Sequence, residues 1–111
     1  MTAFELAGNS LTLSHVGANP NQSSQAFPSE GGATPTVSSS ASTAGSGVLW
    51  AIARSNPLRL QAFDATDLTH KLVDLDAGPW TNPNGGAFLE TTVIQGKVYV
   101  ASDGLLSVFG V

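Results

Sequence analysis

The sequence predicts an all-β domain of short antiparallel strands, and three observations carry that prediction. The links Gln95-Gly96 and Asp103-Gly104, each with glycine second, join runs rich in β-branched and aromatic residues, the signature of tight hairpins. "GVLWAIARS" (47–55) alternates Val48, Trp50 and Ile52 against Leu49, Ala51 and Ala53, so both directions are apolar, as in a strand buried on both faces. No window holds a helical period, because Gly, Ser, Thr and Pro are spread along the whole chain.

Nine strands follow in order. "TAFELAGNSLTLSHV" (2–16) supplies two around Gly8-Asn9. Residues 17–47 are biased toward small and polar types and read in isolation as a linker. Within them, "ATPTVSSS" (33–40) shares a Thr-Val core with "LETTVIQG" (89–96) and is expected to be a strand, with "ASTAGSG" (41–47) as a long hairpin loop. After 47–55 and Asn56-Pro57 comes "LRLQAFDA" (58–65), where Leu58, Leu60 and Ala62 alternate with Arg59, Gln61 and Phe63. "DATD" (64–67) is a turn, "THKLVDLD" (69–76) a more polar edge strand, and "AGPWTNPNGG" (77–86) a loop. "ETTVI", "KVYVA" and "LLSVFGV" complete an antiparallel meander.

Composition narrows the function classes. The 111 residues suit one small domain, 41% of them apolar and only 11% charged, which argues against global disorder. The formal charge is −4, and the basic residues are Arg54, Arg59, Lys71 and Lys97 alone. That leaves no footprint for a nucleic-acid backbone, whose affinity comes from several neutralising Lys or Arg. Lack of cysteine excludes disulfides, thiolate metal sites and cysteine nucleophiles. No apolar run reaches the roughly 18 residues of a membrane helix. "MTAFELAGNS" has neither the basic nor the apolar region of a signal peptide, and localisation stays open.

Weak self-similarity organises the strands. "TAFELAGNSLTLS" (2–14) resembles "QAFDATDLTHKLV" (61–73), "GVLWA" (47–51) matches "KVYVA" (97–101), and "RLQAFDA" (59–65) matches "LLSVFGV" (105–111). Phe4 and Phe63 stand 59 residues apart, Phe63 and Phe109 46. A four-strand unit of that length is the size of a β-propeller blade. The expected organisation is one propeller fragment over 1–111: the last strands of a blade at 2–16, a complete blade at 33–76, and the first three strands of another at 87–111.

"SGVLWAI", "LRLQAFDATDLTHKLV" and "VIQGKVYVASDGLLSVFG" resemble the C-terminal blades of bacterial propellers of the pyrroloquinoline-quinone-dehydrogenase-like (quinoprotein-like) superfamily. The resemblance is firmest over 33–111. It implies antiparallel four-stranded blades, about two per chain, and a family whose members are often periplasmic or secreted. Its motifs mark strands rather than chemistry, and none of the calcium and cofactor ligands of the true dehydrogenases can be placed on this sequence.

Residue by residue, the chain offers no catalytic constellation. Asp64 and Asp67, with Asp74 and Asp76 near them, fit turn residues better than a calcium site, which needs six or more oxygens. His15 and His70 have no ligand spacing, no serine lies in a nucleophile elbow, and "GGATP" (31–35) lacks the lysine and helix of a phosphate loop. Trp50 alternates into apolar positions and belongs to the core. Trp80, among loop-forming residues, is the candidate ligand-binding side chain, a platform for a sugar ring, with loop anchoring as its competing role. Arg54 and Arg59 are expected to be solvated.

Two blades alone would leave apolar sheet faces wet at about 25 cal/mol per Å². Three remedies exist: a homo-oligomer in which three or four copies close a ring, order only within a larger protein, or a small sandwich or barrel that borrows blade-like sequence. The expected function is a non-enzymatic propeller module for self-assembly or ligand binding, with no cofactor. The alternatives are a fragment or descendant of a quinone-dependent dehydrogenase, using pyrroloquinoline quinone and calcium, and a carbohydrate-binding propeller. "NSLTLSHV" (9–16), of the same chain or of a neighbouring copy, is expected to pair with the last strand, supplying the fourth strand of the final blade.

Overall fold

A computed structural model of the chain describes residues 2–7, 10–16, 33–81 and 89–110, the first two stretches as paired backbone. Among the described residues there are nine strands and no helix: β1 (Thr2–Ala7), β2 (Ser10–Val16), β3 (Thr36–Ser38), β4 (Val48–Ala53), β5 (Arg59–Asp64), β6 (Lys71–Asp76), β7 (Thr92–Ile94), β8 (Lys97–Ser102) and β9 (Leu105–Phe109). Each falls on a segment expected to be a strand. They form a hairpin β1-β2, a four-stranded sheet β3-β4-β5-β6 and a three-stranded sheet β7-β8-β9, all antiparallel and in chain order.

Local chemistry sets the turns. Gln95 and Gly96 both take positive φ, 50° and 75°, the primed-turn geometry whose twist suits a two-residue hairpin. Asp64 begins the β5–β6 link and accepts from the Thr66 amide at 2.7 Å and hydroxyl at 2.6 Å; Asp67 does the same for Thr69 at 3.0 and 2.7 Å. These carboxylates replace backbone partners within the turn, which is why Asp favours such positions. β6 lies at the edge of its sheet, as its polar sequence requires.

The core lies between the four-stranded and three-stranded sheets. Ile52, Leu58, Leu60 and Ala77 meet Val98 and Val100, with Trp50, Trp80, Leu89, Val93 and Phe109 packed around them. Trp50 is half-buried, and its Nε1 donates to Ser38 Oγ at 2.8 Å. Polar staples cross the same boundary. Thr36 Oγ1 donates to the Thr91 carbonyl at 3.0 Å, Ser107 Oγ to the Ala77 carbonyl at 3.1 Å, and the Asp103 amide to the Pro79 carbonyl at 3.0 Å. The opposite face of the four-stranded sheet is also buried at Ala51, Gln61 and Phe63.

Ladder register corrects one internal match. Val37, Leu49 and Phe63 form a row across β3-β4-β5; Val93, Val98 and Phe109 form the corresponding row across β7-β8-β9. Phe63 and Phe109 are therefore equivalent, as are Thr36 and Thr92. Trp50 falls on Tyr99, and Leu49 rather than Val48 falls on Val98. Laying "GVLWA" on "KVYVA" slips the strand by one residue, which exchanges its two faces. The N-terminal hairpin carries an independent sign of repetition. The β1–β2 ladder shifts register between Ala3 and Phe4, and the β5–β6 ladder shifts between Ala62 and Phe63.

The expected pairing of "NSLTLSHV" with the last strand does not occur within the chain. β2 pairs with β1, and among the described strands β9 pairs with β8 alone. A hairpin is closed by its own short turn, whereas β2 and β9 are separated by most of the sequence.

Leu60→Ala is expected to cost about 2–5 kcal/mol in chemical denaturation, because the residue is fully buried at the inter-sheet contact. Gly78, at φ 110°, has no room for a methyl, which would collide with Ser102 Oγ and approach Leu105 Cδ2 to 3.2 Å. Gly78→Ala should therefore destabilise by about 1 kcal/mol or more in the same measurement.

Candidate functional site: a bare sheet face and an open edge

Residues paired across an antiparallel ladder share a side, and neighbours along a strand alternate. Val93, Val98, Val100, Ser107 and Phe109 consequently lie on the face of the three-stranded sheet that meets the core. Thr92, Ile94, Lys97, Tyr99, Ala101, Leu106 and Val108 lie on the other. That outer face carries Lys97 and Thr92 but is otherwise apolar, and its aliphatic side chains are bare: Ile94 is 54% exposed, Leu106 60% and Val108 51%. Its register equivalents in the four-stranded sheet are buried. Leu60 stands where Leu106 does and is 0% exposed; Ala62 stands where Val108 does and is also 0%. The two sheets pack head to tail, so one copy of the repeat covers the face that the other leaves open.

The second feature is the edge of β9, which among the described strands pairs with β8 alone, and the cleft beside it. β6 has no strand opposite it on the neighbouring sheet, because that sheet has three strands against four. A cavity of about 280 Å³ opens there, lined chiefly by Trp50, Val73, Leu75, Val93, Val98 and Phe109. No charged group lines it, and its side-chain hydroxyl, Ser38, already accepts from the Trp50 indole. Leu75 on β6 is 45% exposed, and Leu105 at the start of β9 is exposed as well. Apolar walls beside an unpaired edge fit an extended chain better than a charged small molecule.

The expected site residues are dispersed and occupied. Trp80 is half-buried with its side chain packed against the core, and Nε1 is buried without a hydrogen-bond partner. Its amide donates to Asn56 Oδ1 at 3.3 Å. Asp103 accepts from the Thr81 hydroxyl and amide, both at 2.6 Å, and those bonds hold its carboxyl below its ordinary 3.8. Asp64 is lowered similarly by its bonds from Thr66. Among the described residues no three His, Asp or Glu groups converge as a metal site. His70 is exposed, and His15 and residues 31–32 of "GGATP" fall where side chains lie outside the described part.

Of the two arginines expected to be solvated, Arg54 is buried, while Arg59 keeps its side chain 40% exposed and is paired. Arg59 Nε donates to Asp74 Oδ1 at 2.8 Å, while Lys71 Nζ at 2.6 Å and Gln61 Nε2 at 3.3 Å reach Oδ2. Cross-strand pairing brings Gln61 opposite Asp74, with Arg59 and Lys71 two and three residues from those positions. A single carboxylate thus ties β5 to β6. The bare face was harder to read than these ladders, because strands "TVI" and "LLSVF" are apolar on both sides.

Comparison with protein-family models, with curated proteins and with solved structures returns no match.

Burial pushes the Asp74 carboxyl up, but the hydrogen bonds and charges of Lys71 and Arg59 outweigh it and hold the group below 3.8. A carboxyl depressed in the folded state stabilises above its unfolded value and loses that contribution as pH falls through the folded one. Urea midpoints are therefore expected to drop as pH falls below 3.8, and Asp74→Asn should make that acid-side decline shallower. An unchanged slope would show that the network does not couple to folding.

Proposed function

We propose that this chain is a non-enzymatic β-propeller module that works by self-assembly, its four-stranded unit repeating face to face. One observation carries the reading: the face formed by Ile94, Leu106 and Val108 is bare, while the register-equivalent face with Trp50, Ile52 and Leu60 is packed. Exposed side chains of this size share one face of one sheet, which supports reading that face as an interaction surface. Head-to-tail packing is heterologous, and repeating it about a rotation axis closes a ring. Three or four copies would then make six or eight blades, within the usual four to eight.

The recurring row of Val, an apolar residue and Phe, and the recurring bulge at Ala-Phe, support a repeat unit of four strands. They do so independently of the quinoprotein-like resemblance. The quinone-dependent and carbohydrate-binding alternatives have no comparable support. Trp80 lays its side chain against the core, and Asp64, Asp67, Asp74, Asp76 and Asp103 each engage a partner within the chain.

Light scattering of the purified chain is expected to return three or four times the 11.3 kDa of one copy. The double substitution Leu106→Glu with Val108→Lys should reduce the mass to one copy while leaving the far-ultraviolet circular dichroism unchanged. A monodisperse monomer in the wild type would overturn self-assembly. Stoichiometric uptake of pyrroloquinoline quinone with calcium would replace it with the dehydrogenase reading.

A further inference from the structure

We propose that the cavity between the two sheets binds a neutral aromatic molecule of one or two rings, at a site separate from the self-assembling face. The cavity, about 280 Å³, lies between the core faces of the four-stranded and three-stranded sheets and takes lining residues from every strand of both. Its inner half runs from Ser38 and Trp50 on one sheet to Val93 and Gly96 on the other. Paired strands of each sheet, β3-β4 and β7-β8, enclose that half, away from the outer strands. Leu60 and Val98 also line the cavity and are buried, so it reaches down to the hydrophobic core itself.

The lining chooses the chemistry of the guest. Trp50 and Phe109 bring one aromatic ring from each sheet, and rings gain from offset or edge-to-face contact with another ring beyond the area they bury. The Trp50 indole is already held, its Nε1 donating to Ser38 Oγ at 2.8 Å, and Ser38 carries the one polar side chain of the lining. A ring fixed in this way asks no hydrogen bond of a guest. No charged side chain lines the cavity, so an ionised guest would shed its hydration for nothing in return. A neutral ring system loses little hydration and meets apolar walls.

Size narrows the class further. An apolar cavity of about 150 Å³ already admits benzene, while pockets for drug-sized ligands begin at about 300 Å³. The cavity here falls between those limits and suits one ring or a fused pair. Part of its wall is bare backbone. Gly110, at φ 131°, stands where a methyl would meet the Gly96 carbonyl oxygen at 2.6 Å and Lys97 Cα at 3.3 Å. Two glycines side by side, both in the lining, keep side chains out of that space.

The chain has two tryptophans, Trp50 and Trp80, and of these only Trp50 lines the cavity. Titration of the full chain with indole, followed by nitrogen–proton NMR, is expected to shift the Trp50 side-chain resonance saturably while leaving that of Trp80 nearly still. Indole-3-carboxylate, the same rings carrying a charge, should bind several-fold more weakly. Val73→Phe adds a ring to the lining on an edge strand and should weaken indole by at least about tenfold, the discrimination of a hydrophobic pocket against a misfit of a methylene or more. Leu106→Glu with Val108→Lys, on the opposite face of the three-stranded sheet, should bind indole as the wild type does even where it disperses the assembly. Failure of self-assembly and failure of this site are thereby read separately. An absence of saturation at Trp50 up to the solubility limit of indole would overturn the site, and so would equal binding of the carboxylate. Binding unmoved by Val73→Phe, or lost in the Leu106→Glu, Val108→Lys protein, would place the guest elsewhere and overturn it too. Should Val73→Phe fail to fold, the comparison of Trp50 with Trp80 in the wild type decides alone.

Discussion

Everything described here depends on the contact between the face of Ile52 and Leu60 and the face of Val98 and Val100. Fully burying a side chain of this kind is worth about 1.5–3 kcal/mol, and several act together at this boundary. The Asp74 network is partly exposed and contributes by comparison about 0–1 kcal/mol per ion pair, discounted for solvent. Apolar packing therefore wins as the source of stability. The charges serve to hold β6 in register against β5. A two-stranded hairpin is marginal on its own, so the order of the sheets follows from having an apolar layer to rest on.

That same packing creates an asymmetry. A face-to-face contact between sheets uses one face from each, and a repeating unit has a second face ready for the same use. The four-stranded sheet is covered on both sides, at Leu60 and at Phe63, whereas the three-stranded sheet is covered only at Val98 and Val100. Leu106 and Val108 are left wet although their counterparts are fully buried. A monomer keeps this cost; an assembly built by the same contact removes it. Mutual complementarity of the two faces within one chain is thus the physical basis of the association proposed between chains.

Strand positions were legible in the sequence because their causes are local. Period-two alternation at 47–55, glycine at the second place of two-residue links, and Asp at 64 and 67 all act within a few residues. Face and register were not, since they depend on partners far along the chain. "GVLWA" and "KVYVA" align best by eye through Val and Ala at their ends, yet the ladders match Trp50 with Tyr99. The nine-residue link before β4 and the two-residue turn before β8 allow that slip. Arg59 similarly reads as a solvated residue beside a Pro turn until β6 brings Asp74 alongside. Trp80 reads as loop-exposed, yet its side chain packs against the core.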